Sequence, residues 1–351
     1  MKTPSPATLH RGRAATPIAF IKAIVLAYER YGIDPSAALA RADIDAALLD
    51  QPAARVTAAQ MELISGHAMQ ELDDEALGWF SRRLPWGSYG MLCRASVGAP
   101  DLGVALKRWC RHHRLLTDDI VLSLDAARSV ATLTLTPQRP LGAMHEFCQV
   151  TLLRYALGYA CWAIDSRIPL LDSSFPFPAP LHADAYPLMF PGPLRFDAEA
   201  AAIRFDARYL ALPIRRDDAA LSAMLQRALP LTVLQYRRDR LLVEGVRRFL
   251  RNPAGGAAST VTAETVAEAL HVSVRTLHRQ LREEGSSLQQ LKDEARCDRA
   301  IELLNRSQRS IKQISALVGF RNEKSFARAF RGWTGAPPQS FRKRDLGDTE
   351  D

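Results

Sequence analysis

At 351 residues and 47% hydrophobic composition, the chain is long enough for two domains of ordinary size and a sizeable core. No apolar run reaches the ~18–20 residues of a membrane-spanning helix, and the opening MKTPSPATLHRGRAATP lacks the apolar centre of a signal peptide. The net charge of +8 is uneven: residues 261–344 hold 16 Lys/Arg against 9 Asp/Glu, which points either to a polyanionic partner or to a solvated charged face.

In chain order, residues 1–16 read as a disordered, frayed tail. From Pro17 to about Leu116 the pattern is mostly helical. IAFIKAIVLAYERYG ends on Gly32, a C-cap residue, while Thr57 and Asp101 stand at N-cap positions before AAQMELISGHAMQEL and LGVALKRWCRHHRLL. VLSLD and VATLTLT then alternate as a hairpin, with the turn expected around Ala126-Ala127-Arg128. MHEFCQVTLLRYALGYACWAID is a long helix with apolar residues on several faces. Residues 167–213 are rich in Pro and Phe, with the strand-like pieces IPLLDSSF, LRFD and AIRFD, and DDAALSAMLQRAL returns to helix. A helix over 232–251 follows and ends at Asn252-Pro253-Ala254-Gly255-Gly256, which places a domain boundary near residue 230. The five cysteines are scattered and form no CxxC pair, which suits thiols used as small apolar residues in a reducing cytoplasm.

The last quarter repeats one pattern. In residues 262–285 a short helix carrying Val266, Ala267 and Leu270 meets a turn at His271-Val272. Ser273 can cap a second helix whose Leu277 and Leu281 face the first. In residues 310–333, Ser310 and Gln313 form a capping-box pair, Gly319-Phe320-Arg321-Asn322 makes the turn, and Asn322 can cap the next helix. A short helix, a tight turn and a capped second helix make a helix-turn-helix. Arg275, His278, Arg279 and Arg282 share one face of the first recognition helix; Lys324, Arg328 and Arg331 share one face of the second, beside Ser325. Arginine can grip guanine edges or phosphate. Between the copies, Ser287 and Gln290 open a further helix as a capping box, and its Leu288, Leu291, Ala295, Ala300 and Leu304 form an apolar side. A helix of about 20 residues is ~30 Å long, close to the ~34 Å turn of B-DNA. Such a helix can set two recognition helices into successive major grooves.

This tandem, closing with GFRNEKSFARAFRGWTGAPPQSFRK, resembles the DNA-binding domain of the AraC/XylS family of bacterial transcription regulators. The family pattern falls on Gly319-Phe320, on Phe326, Arg328 and Phe330, and on Gly335, Pro338, Phe341 and Arg342. Ser315 stands where the family usually has Ala, and serine is small enough to fit. The resemblance implies DNA contacts from Arg275, Thr276, His278, Arg279 and Arg282 in the first unit. In the second it implies contacts from Arg321, Glu323, Lys324, Ser325 and Arg328. Residues 87–116, 178–197 and 205–214 are similar to the arabinose-binding-like sensor domain of AraC-type regulators. The fold class this implies is mainly α with a smaller α+β component. A mixed α/β effector-sensing and dimerisation domain at 17–230 precedes an all-α DNA-binding domain at 231–344, and residues 345–351 are an acidic tail. The implied partners are double-stranded operator or promoter DNA, a small-molecule effector of unstated identity, RNA polymerase and a second copy of the chain.

The effector contacts expected in the sensor are Trp86, Tyr89, Arg111 and His112. Trp86 and Tyr89 offer stacking surfaces, although core or surface packing is the commoner reading of such residues. In WCRHHR, His112 and His113 diverge by about 100° on a helix, which is not the i, i+4 pair of a helical zinc site. Arg108, Arg111 or Arg114 could form a basic pocket for a carboxylate effector, and a solvated helix end accounts for the same residues. His67, His145 and His182 have no partner evident in the sequence. No cofactor, metal or catalytic residue is expected: GxSxG, P-loop, HExxH and GxGxxG patterns are missing. The rival enzyme class is a DNA-repair alkyltransferase, which would need a cysteine-rich site near the N-terminus, where Cys93 is the first cysteine.

Overall fold

The computed structural model describes residues 13–226, 241–251 and 261–340, with residue 306 described by its backbone alone. The chain divides into two compact units, Met1–Arg237 and Arg238–Asp351. The expected boundary near residue 230, the first part of the 232–251 helix, the 252–256 loop, Phe341, Arg342 and the acidic tail all lie outside the described residues.

The N-terminal unit is helical around one sheet. Ala15 and Thr16, read as part of the tail, are instead built into the fold. The Ala15 N–H donates to the Val56 carbonyl at 3.1 Å, and strand β1 (Thr16–Pro17) pairs antiparallel with β2 (Arg55–Val56). Helix α1 (Ile18–Arg30) buries Ile18, Ile21, Ile24 and Tyr28 along one stripe. Helix α2 (Ser36–Arg41) leads to α3 (Ala58–Glu71). A full capping box opens α3: Thr57 Oγ1 accepts from the Gln60 N–H at 3.2 Å, and Gln60 Oε1 accepts from the Thr57 N–H at 3.0 Å. Helix α4 (Ser88–Val97) packs on α5 (Leu102–Leu116), which Asp101 caps by accepting from the Val104 N–H at 2.8 Å.

The sheet has strand order β3-β4-β7-β5-β6, antiparallel except for β5–β6. Its strands are β3 (Ile120–Ala127), β4 (Val130–Pro137), β5 (Leu170–Ser174), β6 (Leu194–Arg195) and β7 (Ala201–Asp206). The hairpin turn lies later than expected. Ala126 and Ala127 pair with Ala131 and Val130, and the chain reverses at Arg128-Ser129 with Arg128 at φ 55°. Helix α6 (His145–Ala163) contacts α5, β4 and β7 and is buried on nearly every face, as its apolar run requires. The Pro/Phe-rich segment folds around Phe175, whose ring lies 5.0 Å from Tyr186 and 5.2 Å from Phe190. Helix α7 (Tyr186–Met189) sits in that segment, and α8 (Asp218–Leu225) packs on α4.

The C-terminal unit is all helix in the described residues: α9 (Leu241–Arg251), α10 (Ala263–Ala269), α11 (Val274–Glu283), α12 (Leu288–Arg306), α13 (Ile311–Leu317) and α14 (Glu323–Thr334). It holds two separate cores. Val243, Val246, Leu250, Val266, Leu277 and Leu281 form the first together with Leu288 and Leu291 of α12. Ile314, Val318, Phe326 and Phe330 form the second together with Ala300, Leu303 and Leu304 of the same helix. At 1.5 Å per residue the 19 residues of α12 span about 28 Å. Arg247 of α9, 2.6 Å from Glu244 and 2.8 Å from Glu294 of α12, holds the first core to this helix.

Candidate nucleic-acid interface and effector cavity

The two helix-turn-helix units share a backbone solution but not a sequence. In the first, Thr262 caps α10, and the turn closes with the Val272 N–H donating to the Ala267 carbonyl at 2.9 Å. In the second, Ser310 and Gln313 make a reciprocal box on α13, and the Phe320 N–H donates to the Ser315 carbonyl at 2.9 Å. Both turns need one residue at positive φ. Gly319 takes φ 84° without steric cost, whereas His271 takes φ 54°. Ser273 Oγ then accepts from the Thr276 N–H at 3.1 Å, and Asn322 Oδ1 accepts from the Ser325 N–H at 2.8 Å, so both recognition helices start as expected. Ser315 is buried at 1% exposure, consistent with its small size. Gly335 ends α14 at φ 75°. The box expected at Ser287 is only half made: Ser287 caps the Gln290 N–H, but the Gln290 amide donates to Glu294 at 3.2 Å.

Burial divides each recognition helix into two sides. Leu277 and Leu281 are buried, while Arg275, His278, Arg279 and Arg282 are exposed. Phe326 and Phe330 are buried, while Lys324, Arg328 and Arg331 are exposed, as are Arg321 and Glu323 at the turn. Thr276 and Ser325 are half-buried, and the Thr276 hydroxyl lies 2.8 Å from that of Ser273, so both stand close to the caps. The Arg279 guanidinium is 3.8 Å from Glu283, a loose exposed pair that leaves it able to reach outward. Behind the second helix, Phe320 packs 5.7 Å from Phe326 and 5.8 Å from Trp333, with the Arg296 guanidinium 5.7 Å from its ring.

The N-terminal unit contains a cavity of about 170 Å³. Trp86 and Tyr89 line it, as do Glu75, Trp79, Trp109 and His113; Arg111 and His112 do not. Arg111 is exposed, so that expected pair is split by the helical turn: it is Trp109 and His113, at i and i+4, that share the inward face of α5. That spacing was visible in WCRHHR. The contributions of Glu75, Trp79 and Tyr155 carried no local signal. Glu75 accepts from the Gly87 N–H at 2.7 Å and the Tyr89 N–H at 2.6 Å. Burial pushes the Glu75 carboxyl up, with the nearby Asp74 and Asp73 adding to the shift against the lowering effect of those two N–H groups. Burial also pushes the His113 imidazole down to about 4, which leaves it neutral near pH 7. Trp79 Nε1 and His113 Nδ1 are buried without hydrogen-bond partners among the described residues.

The histidines left without a role in the sequence have structural partners: His182 Nε2 lies 2.6 Å from Glu146 and His67 Nε2 lies 3.3 Å from Glu71, while the His145 ring packs 5.6 Å from Phe177. Among the described residues no group of three His, Cys, Asp or Glu is placed to hold a metal. All five cysteines are free, and burial pushes the Cys93 and Cys148 thiols up and that of Cys110 up to about 12. These are packing thiols rather than thiolate nucleophiles.

Two capped helix-turn-helix units on one bridging helix, each with an exposed basic face, define a DNA-binding transcription regulator. The arabinose-binding domain of AraC transcription regulators matches residues 32–214, and a helix-turn-helix domain family matches residues 266–344. The chain belongs to the AraC family of transcription regulators. The ornithine utilization regulator of Pseudomonas aeruginosa is similar to it at 27% identity over 330 residues, which is 93% of this chain and 96% of that protein. The HTH-type transcriptional regulator VqsM of the same organism is 41% identical over 78 residues, 22% of this chain and 24% of its own length. The crystal structure of the transcriptional regulator CdpR from Pseudomonas aeruginosa covers 93% of this chain and 98% of its own at 19% identity, with a TM-score of 0.33. The relatives are regulators rather than enzymes, and no described helix is long and apolar enough to cross a membrane.

Proposed function

We propose that this regulator reads two successive major grooves with α11 and α14, and that a small molecule in the N-terminal cavity modulates the reading. The observation that carries the first part is the shared helix: α12 belongs to both cores, and its ~28 Å length approaches one ~34 Å turn of duplex. Arg275, His278, Arg279 and Arg282 contact the first groove; Arg321, Lys324 and Arg328 contact the second, with Glu323 and Ser325 at the helix start. Thr276 serves mainly the cap. The effector reading rests on the aromatic cavity with its unpartnered polar groups, with Trp86 and Tyr89 as contacts. Arg111 and His112 are not proposed as contacts. The working form is a homodimer in the cytoplasm, joined through the N-terminal unit, acting on RNA polymerase at the promoter.

The test is to map genomic occupancy of the full chain and footprint a recovered site. Two protected major-groove tracts about one helical turn apart are expected, and a single tract would overturn the two-groove reading. Thermal shift across a metabolite panel tests the sensor, since a bound effector stabilises by RT ln(1 + [L]/Kd).

A further inference from the structure

The cavity has one sign of charge. Among the described residues that line it there is no Lys or Arg, and its charged group is Glu75. The rest of the polar wall, Tyr89, Trp79 and the neutral His113, can orient a ligand but supplies no positive charge. Arg108, Arg111 and Arg114 are not among its lining residues, so the charge that the described wall presents is negative.

Size sets the body of the occupant. An apolar cavity of about 150 Å³ takes up benzene, so about 170 Å³ holds one ring with a short substituent. The walls set its chemistry. Trp79, Phe80, Trp86, Tyr89, Trp109 and Tyr155 present aromatic surface. The Tyr89 ring lies 5.5 Å from Trp109 and 5.2 Å from Tyr155. Aromatic faces attract cations, most strongly when water is excluded. Glu75 is held in place by the Gly87 and Tyr89 N–H groups, makes no ion pair among the described residues, and keeps free lone pairs. A carboxylate ligand would meet this like charge with no Lys or Arg among the described lining residues to offset it. A protonated amine would meet both an anion and π faces.

We infer that the cavity binds a compact aromatic amine as its cation, with Glu75 as counter-ion, and discriminates against carboxylates. This rests on the reading of the cavity as a ligand site, and it specifies the ligand class. The competing explanation is that Glu75 only satisfies the N–H groups at the start of α4.

Three probes of similar size separate the two: phenethylamine, 2-phenylethanol and phenylacetate, titrated into the full chain and followed by tryptophan fluorescence, since Trp79, Trp86 and Trp109 all line the site. The amine should bind about tenfold or more tighter than the alcohol, and phenylacetate weakest. In Glu75→Gln, whose amide can accept from only one of the two N–H groups, the amine's advantage over the alcohol should shrink to about twofold, with circular dichroism as the folding control. An alcohol or phenylacetate that binds as tightly as the amine, or a Glu75→Gln variant that keeps the amine preference, would overturn the inference. The wild-type series decides alone if the variant does not fold. Operator affinity with the amine bound is a separate readout: if it stays flat while amine selectivity holds, the switch fails and the ligand class stands.

Discussion

The two units of this regulator treat charge in opposite ways. The C-terminal unit keeps the basic groups of its two recognition helices at the surface. Where it buries a charge, as at Glu244 with 6% exposure, an arginine sits 2.6 Å away. At its cavity the N-terminal unit holds two titratable groups without opposite charges among the described residues: Glu75 has only N–H partners, and His113 is 2% exposed with Nδ1 unpartnered. A dry core carrying charge outside suits a rigid reader of a polyanion. Uncompensated polar groups inside suit a site completed by something that enters it.

The largest expected effect tests the dry core. Phe330→Ala should cost about 3–5 kcal/mol, because Phe330 is fully buried between Phe326 and the α12 side chains. Hydrogen exchange on the full chain should show the loss centred on α13 and α14, with little change from pH 5 to 8. A cost that follows pH would break the comparison. The next effect belongs to the other unit. The His113 pKa in the folded chain lies below its ordinary value of 6.5, so the unfolded chain takes up the proton first. Stability is therefore intact above pH 6.5 and falls as pH drops toward about 4. The slope is up to ~1.4 kcal/mol per pH unit, for a total of about 3 kcal/mol. His113→Phe should flatten that window in acid melts of the N-terminal unit; an unchanged slope would remove His113 as the cause.

Smaller effects follow at the surface. Arg279→Ala and Arg328→Ala should leave stability within about 0.5 kcal/mol yet weaken operator binding by about 1–3 kcal/mol each. Equal losses on all sequences, with the salt slope reduced by about one, would move the residue from base to phosphate contact. The smallest effect compares the two turns. His271→Gly should stabilise the first helix-turn-helix by up to about 1 kcal/mol, since it relieves positive φ where the second unit already has Gly319. Urea midpoints for the first unit check it.

Legibility followed the range of the interactions. Ser273, Ser310 and Asn322 announce their helices because a cap acts within three residues, and the Phe326/Phe330 spacing shows the buried side directly. Local readings failed where a neighbour competed. Gln290 turned to Glu294 instead of Ser287, and the 126–128 turn slid because Ala126 and Ala127 found cross-strand partners, leaving Arg128 to reverse the chain without a glycine signal. The cavity was the least legible part. Its walls come from α3, α4, α5, α6, α8 and the segment after α3, and no spacing within one helix joins Glu75 to Tyr155 or Leu225.

Because both cores close on α12, that helix also sets a phase. One residue inserted between Ala295 and Ala300 would lengthen it by about 1.5 Å but rotate everything beyond by about 100°. On the proposed two-groove reading, the second recognition helix would then leave the side of the duplex that the first one faces. The span tolerates substitution on its outer surface far better than a change in length, and its residue count acts as an angular setting as much as a distance.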